Sequence, residues 1–391
     1  TGARQVGKTT LARALTSPRW RAEYRTLDAR AQLDAALADP DGFLAQARRP
    51  LILDEVQRAP DLLRAIKLVV DRDRRPGQFL VTGSANLLTM KGVSETLAGR
   101  VGVCSLFPLS WGELCRRPPA PRLEALFGRT PRDLFGEAQA SSAVPPEDMG
   151  LRGGYPSGTR LSAAGERMAW FDAYQQTYLE RDVRDLASLE HWADFSRLVV
   201  ACAVRTGQLF NVADLARDLQ RPVTTVRRYL GLLELTYQIV MVRPYFVNVG
   251  KRLVKTPKLF MTDTGLACSR LGVEHWAGLE RLGKAGPMVE TWVAMELHKL
   301  IGAARGPLAL YFWREHAGRE VDFLLVRGEE VVGLEVTWSR RLDGRAVAGL
   351  KACAEALGNR FRLGIVLYRG DQILGLGRNL LAVPFRAFFG V

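Results

Sequence analysis

A chain of 391 residues, 47% apolar and 25% charged, has the makeup of a globular protein with room for two or three cores, and no apolar run reaches the length of a membrane span. Its net charge of +14, rich in arginine, favours a polyanionic partner, although an arginine-rich solvated surface would give the same count. Five cysteines (Cys104, Cys115, Cys202, Cys268, Cys353) lie far apart without a C-x-x-C, beside only four His, which argues against structural zinc and for a reducing cytoplasm.

The stretch Gly2-Ala3-Arg4-Gln5-Val6-Gly7-Lys8-Thr9 fits G-x-x-x-x-G-K-[ST], a loop whose successive backbone N–H groups curl round a polyphosphate. Side chains have to vanish at Gly2 and Gly7 for the backbone to make that approach. Lys8 supplies a point charge for the β and γ phosphates, Thr9 a hydroxyl for Mg²⁺, and Thr10 continues into a helix. Gly2, Ala3, Arg4, Gln5, Val6, Gly7, Lys8, Thr9 and Thr10 are therefore the expected ATP contacts. Such a loop follows a buried strand, and this chain starts at Thr1 without an initiator Met. The first strand is expected to lie outside the sequence, as in an amino-terminal truncation that could impair ATP binding.

Tyr24 to Asp28 reads as a short strand, with short helices over Ala31 to Ala38 and Gly42 to Ala47 divided at Pro40. Leu51-Ile52-Leu53 is a continuous apolar run, as in a strand buried on both faces, and it delivers Asp54 and Glu55 at its carboxyl end. Ligands in open α/β sheets bind outside those ends, so Asp54 is expected to hold Mg²⁺ through water and Glu55 to act as general base. An amphipathic helix over Leu62 to Asp71 and a strand over Gln78 to Thr82 come next. Ser84 and Asn86 beyond that strand are candidates for sensing the γ phosphate, or equally for capping a helix. Arg100, before an expected strand at Val101 to Leu106, is a candidate charge-stabilising arginine in cis or on a neighbouring copy, or a surface salt bridge.

The set G-A-R-Q-V-G-K-T-T, L-I-L-D-E-V-Q, L-V-T-G-S-A-N and L-A-G-R-V resembles the large prokaryotic family of AAA-type ATPases that carry a carboxyl-terminal domain of unknown function. The resemblance covers nearly the whole chain and implies an ATP-binding protein with a Mg²⁺-dependent ATPase core over residues 1–116. A Pro- and Arg-rich linker over 117–150 is expected next, then a helical lid-like region over 151–192 that opens on Gly153-Gly154-Tyr155-Pro156, similar to a turn of that family. Its run Glu180 to Asp185 pairs charges along a helix, with a nucleotide contact through Arg181 or Arg184 as the other reading.

Residues 193–272 have winged-helix proportions. Asn211 caps a helix that buries Val212, Leu215 and Leu219, and a second helix from Pro222 buries Val223, Val226, Leu230 and Leu233. Thr224, Thr225, Arg227 and Arg228 then face outward, as a major-groove reader would, beside a basic wing of Lys251, Arg252 and Lys255. Docking against another protein domain is the alternative. Residues 280–391 read as a small α/β unit in which Glu290 on a helix, Asp322 on a strand and Glu335-Val336-Thr337 on the next are similar to the PD-(D/E)xK nuclease fold. There the acids hold Mg²⁺ and a Lys steadies the transition state. Thr337 occupies the Lys position, so cleavage is not expected, and a structural network of Glu290, Asp322 and Glu335 with Arg319 or Arg340 competes with a metal site.

The expected class is thus α/β: a P-loop NTPase core with a parallel sheet, a helical and winged-helix middle, and a small nuclease-like domain. The leading activity is Mg-ATP binding and slow hydrolysis coupled to a region that contacts duplex DNA. A nucleotide-responsive regulator with incidental hydrolysis and an ATP-gated nuclease are the alternatives. A second copy of the chain is a candidate partner and a membrane is not.

Overall fold

The computed structural model describes residues 1–83, 97, 99–117, 122–128, 134–135, 144–179, 192–246, 255–315, 318–342 and 344–391. Ser84, Asn86, Arg181, Arg184, Lys251 and Arg252 lie outside the described residues. The chain divides into two compact units, the first built mainly on Thr1–Phe107 and the second on Pro108–Ala173 and Ile239–Val391 with most of the stretch from 192 to 230.

The first unit carries three parallel strands in the order β1 (Glu23–Thr26), β2 (Leu51–Asp54), β3 (Phe79–Val81). Leu51, Ile52 and Leu53 are fully buried, because a central parallel strand is covered on both faces. The crossover from β1 runs through helices Arg30–Ala38 and Pro40–Ala45, the latter started by Asp39, whose side chain accepts from Gly42 N at 2.9 Å, and by Pro40 in the first turn. From β2 the chain returns through helix Asp61–Arg72, which buries Leu62, Leu63, Ala65 and Ile66 against Phe43, Leu44, Leu51 and Leu53. The parallel pairing brings Thr26, Asp54 and Thr82 to one end of the sheet. Val101 to Leu106 joins neither sheet; Leu106 N donates instead to Thr1 O at 2.8 Å.

The second unit holds a nine-stranded mixed sheet. In chain order its strands are β4 (Gln208–Leu209), β5 (Ile239–Pro244), β6 (Lys258–Met261), β7 (Ala309–Arg314), β8 (Glu320–Arg327), β9 (Glu330–Val336), β10 (Phe361–Tyr368), β11 (Leu374–Gly377) and β12 (Leu380–Pro384). Across the sheet they run β11-β12-β10-β9-β8-β7-β5-β6-β4. Alternation decides what covers each face: Phe323 and Leu325 of β8 meet Val289, Trp292, Val293 and Leu297 of helix Ala285–Ala303, while Leu324 and Val326 join Leu350 and Cys353 of helix Gly344–Leu357. Each such side chain contributes about 1.5–3 kcal/mol by burial, so a polar replacement at Leu334 or Ile365, both fully buried, would break the layer.

The sheet also joins regions that the sequence separates at 272–280. Arg243 and Pro244 of β5 pair in parallel with Tyr311 and Phe312 of β7, so the short β4-β6-β5 group and the terminal strands share one ladder. Ahead of β5 the order is helix Trp192–Val204, β4, helix Val212–Leu219, helix Val223–Leu235. Asn211 accepts from Ala213 N at 2.9 Å as its cap, and Val226, Leu230 and Leu233 are buried as their spacing predicts.

Candidate functional site: a phosphate loop and a buried charge cluster

Gly2, Gln5 and Gly7 all take positive φ (148°, 63° and 99°), which curls the loop before helix Lys8–Ala14. A Cβ at Gly2 would stand 2.2 Å from Leu106 O, so only glycine lets the loop pass there. Ala3 and Val6 are buried and pin the loop from beneath. Lys8 Nζ donates to Gly2 O at 3.0 Å and Ala3 O at 2.6 Å, which folds its ammonium back over the loop it serves. Thr9 Oγ1 donates to Asp54 Oδ2 at 2.8 Å, joining loop and strand end. Two further hydroxyls converge on the same carboxylate: Tyr24 OH donates to Oδ2 at 2.7 Å and Thr82 Oγ1 donates to Oδ1. Burial, and then the hydrogen bond to Asp54, raise the Tyr24 phenol above its ordinary range, so it stays a donor at neutral pH. Neither Tyr24 nor Thr82 stands out in the sequence. The signal for both was positional, since Tyr24 lies on β1 and Thr82 directly follows β3, the two strands that flank β2.

Glu55 follows Asp54 in a left-handed conformation (φ 61°) that turns it off the end of β2. Its N–H donates to Thr82 Oγ1 at 3.3 Å and its Oε2 accepts from the Gln57 side-chain amide. A hydroxyl-bound Asp beside a half-exposed Glu matches a metal-side acid and a water-side base, and the oxygen donors Thr9 and Asp54 suit a hard cation such as Mg²⁺.

In the second unit the structure brings Glu290, Asp322 and Glu335 together, but around a cation from an unexpected element. Lys258 on β6 is 4% exposed and donates to Glu290 Oε1 at 2.6 Å, with Asp322 Oδ1 at 3.5 Å. Asp322 Oδ2 accepts from Val336 N at 2.9 Å, and Glu335 Oε2 accepts from Asp322 N at 3.4 Å. Three carboxyls face one ammonium. Burial, and then the charge of Asp322, push Glu290 up to about 8 and Glu335 up to about 10. Burial likewise raises Asp322, with the Lys258 charge opposing. Burial alone would lower Lys258, but Glu290 and Asp322 outweigh it and hold the ammonium charged.

At the expected metal site a protein cation, Lys258, stands against Glu290 and Asp322. Among the described residues no group of three or more His, Cys, Asp or Glu side chains is placed to hold a metal ion. The competing structural network is present with another partner: Arg319 pairs with Glu315, and Arg340 pairs with none of the three acids. Thr337 Oγ1 accepts from Ser339 N at 3.3 Å, a local turn contact.

Residues 1–115 match the family described as AAA domain, residues 147–276 a domain of unknown function (DUF8612), and residues 285–388 another (DUF4143). An uncharacterized protein of Mycobacterium tuberculosis (strain ATCC 25618 / H37Rv) is 34% identical over 385 residues, covering 98% of this chain and 79% of the relative. An uncharacterized protein of Mycobacterium bovis (strain ATCC BAA-935 / AF2122/97) matches equally. The chain belongs to this AAA-domain family. As an AAA-domain protein with a P-loop core it is a nucleotide-binding ATPase by family, which accords with the loop and Asp54 geometry above.

Two other expected features of the AAA-domain protein fall elsewhere. Arg100 is not brought to Asp54: its guanidinium pairs with Asp71 at 2.6 and 3.1 Å, in the last turn of helix Asp61–Arg72 beside the start of β3, the opposite end of the sheet. That ion pair is the kind the salt-bridge alternative for Arg100 describes. Thr224, Arg227, Arg228 and Lys255 are exposed and Thr225 is half-buried, with the Arg228 guanidinium 5.4 Å from the Tyr229 ring centre. No helix among the described residues is long and apolar enough to cross a membrane.

The raised carboxyls have a pH consequence. Between the unfolded value of 4.5 and about 8, native Glu290 holds more proton than the unfolded chain does, so its contribution is full below that window and lost as pH rises through it. Thermal unfolding is expected to shift down from pH 5 to pH 8, with a shallower slope in Glu290→Gln; parallel slopes in the two proteins would remove Glu290 as the titrating group.

Proposed function

We propose that the protein binds Mg-ATP at Gly2 to Thr10 and hydrolyses it slowly, with Lys8 and Thr9 as phosphate-side contacts, Asp54 behind the cation and Glu55 as general base. The convergence of Thr9, Tyr24 and Thr82 on Asp54 carries this reading, since it fixes an acid at the loop where the cation is needed. Mg²⁺, when bound, neutralises charge developing on the phosphate oxygens. Lys8 leaves the Gly2 and Ala3 carbonyls for the phosphates, and Glu55 takes the proton of the attacking water as the γ-phosphoryl group transfers to it and ADP leaves.

The nucleotide state is read, in this proposal, by a DNA-contacting region of winged-helix type. Its support is the helix, strand, helix, helix, strand, strand order, together with the outward face of Thr224, Thr225, Arg227 and Arg228 and the exposure of Lys255. Reversing Arg227 and Arg228 to Glu should weaken duplex binding and flatten its salt dependence, by roughly one unit of log–log slope per lost phosphate contact. Unchanged affinity and slope would mean that these arginines are solvated surface. Turnover measured with and without duplex DNA tests the coupling: stimulation supports it, and equal duplex affinity with and without ATP speaks against any nucleotide-driven switch. For the terminal unit the favoured reading is a nuclease-like scaffold without cleavage of its own, because Lys258 neutralises the acids internally.

A further inference from the structure

Strands β9, β10 and β12 run parallel and stop together, with Leu367 opposite Val336 and Tyr368 opposite Pro384. Just beyond these ends the sequence places Arg340 and Arg341 after β9, Arg369 after β10 and Arg386 after β12. Two adjoining cavities of about 160 and 460 Å³ open there, both lined by Arg340, Tyr368, Gly370 and Asp371; the smaller adds Arg369 and Arg386, the larger Arg341. The floor is built tightly, since a Cβ at Gly370 would come within 2.0 Å of the Tyr368 ring, and glycine alone lets the chain cross it.

Arg369 is the anchored member. Its guanidinium pairs with Glu147 and lies 4.9 Å from the Trp338 ring centre, and its backbone N–H donates to Ser339 O at 3.2 Å. The side chains of Arg340, Arg341 and Arg386 have no hydrogen bond or ion pair among the described residues. Four guanidinium groups thus face two carboxylates, Glu147 and Asp371, an excess of two positive charges in one cleft. Like charges held together without partners oppose folding, so a fold that gathers them at the carboxyl ends of parallel strands presents the planar forks that phosphate oxygens accept from.

We propose that this cleft binds phosphoryl groups through Arg340, Arg341, Arg369 and Arg386. Arg369 is held by Trp338 and Glu147 as the fixed point, and the other three close on the anion. The ligand is either a stretch of polynucleotide backbone or a free phosphate, and the site is separate from the phosphate loop at Lys8.

The test uses the full chain carrying Lys8→Ala, which silences the loop, with and without the added pair Arg340→Ser and Arg386→Ser. One arm titrates a labelled single strand of about 20 nucleotides by anisotropy at several salt concentrations, and the other titrates inorganic phosphate by calorimetry. The expected result is a loss of about tenfold or more in strand affinity, with the salt slope smaller by about one to two. Loss of phosphate binding with an unchanged strand arm would keep the site and name a free phosphate as its ligand. Less than twofold change in both arms would overturn it. Arg340→Lys with Arg386→Lys keeps the charge without the fork and is expected to fall between wild type and the Ser pair; it also reports on the site should the Ser pair fail to fold.

Discussion

Glu55→Gln is expected to bind ATP as the wild type does while its turnover falls by about 10²–10⁴-fold, the usual worth of a positioned proton acceptor. The amide keeps the size and the left-handed backbone position of Glu55 and can still meet Gln57, so binding contacts at the loop survive. What it cannot do is take a proton from water. Asp54 does not substitute, because both of its oxygens already accept from hydroxyls of Thr9, Tyr24 and Thr82. Equilibrium ATP titration with single-turnover hydrolysis separates the two effects. Unchanged turnover would take the base away from Glu55.

Lys258→Met is expected to destabilise the second unit by about 3–5 kcal/mol at pH 8, since it leaves buried Glu290 and Asp322 without the cation that pairs with them. The loss should shrink at pH 5, where Glu290, pushed up to about 8, takes up its proton and its unpaired charge disappears. Adding Glu290→Gln to Lys258→Met should recover part of the loss at pH 8. Denaturant unfolding at the two pH values checks this. A loss below 1 kcal/mol, or one independent of pH, would mean that water reaches the cluster and screens it.

How much of this could be read from the sequence depends on the range of the contact. The loop Gly2 to Thr9 and the strand Leu51 to Asp54 are local patterns whose spacing dictates both conformation and role. The cap at Asn211 and the buried face of helix Val223–Leu235 were legible for the same reason. Lys258 was not, because its partner Glu290 lies on a helix 32 residues later and nothing in β6 marks so distant a contact. The two-residue pairing of β5 with β7 is equally silent, so one sheet looks like two domains. Strand β11 reads Leu-Gly-Leu-Gly, which propensity assigns to a turn until β12 pairs with it. Arg100 illustrates a chemical ambiguity instead: a guanidinium serves a phosphate or a carboxylate equally, and Asp71 is the nearer anion.

Whether the loop at Lys8 holds ATP for hydrolysis is decided by Mg²⁺-dependent ATP turnover of the full-length protein beside its Lys8→Ala variant. Lys8 is the cation that the loop folds inward at 2.6–3.0 Å from its own carbonyls, so its loss should abolish both nucleotide binding and turnover. Slow, Mg²⁺-dependent release of phosphate is expected from the wild type and none from Lys8→Ala. Equal turnover in the two proteins, or binding of ATP by Lys8→Ala with wild-type affinity, would contradict it.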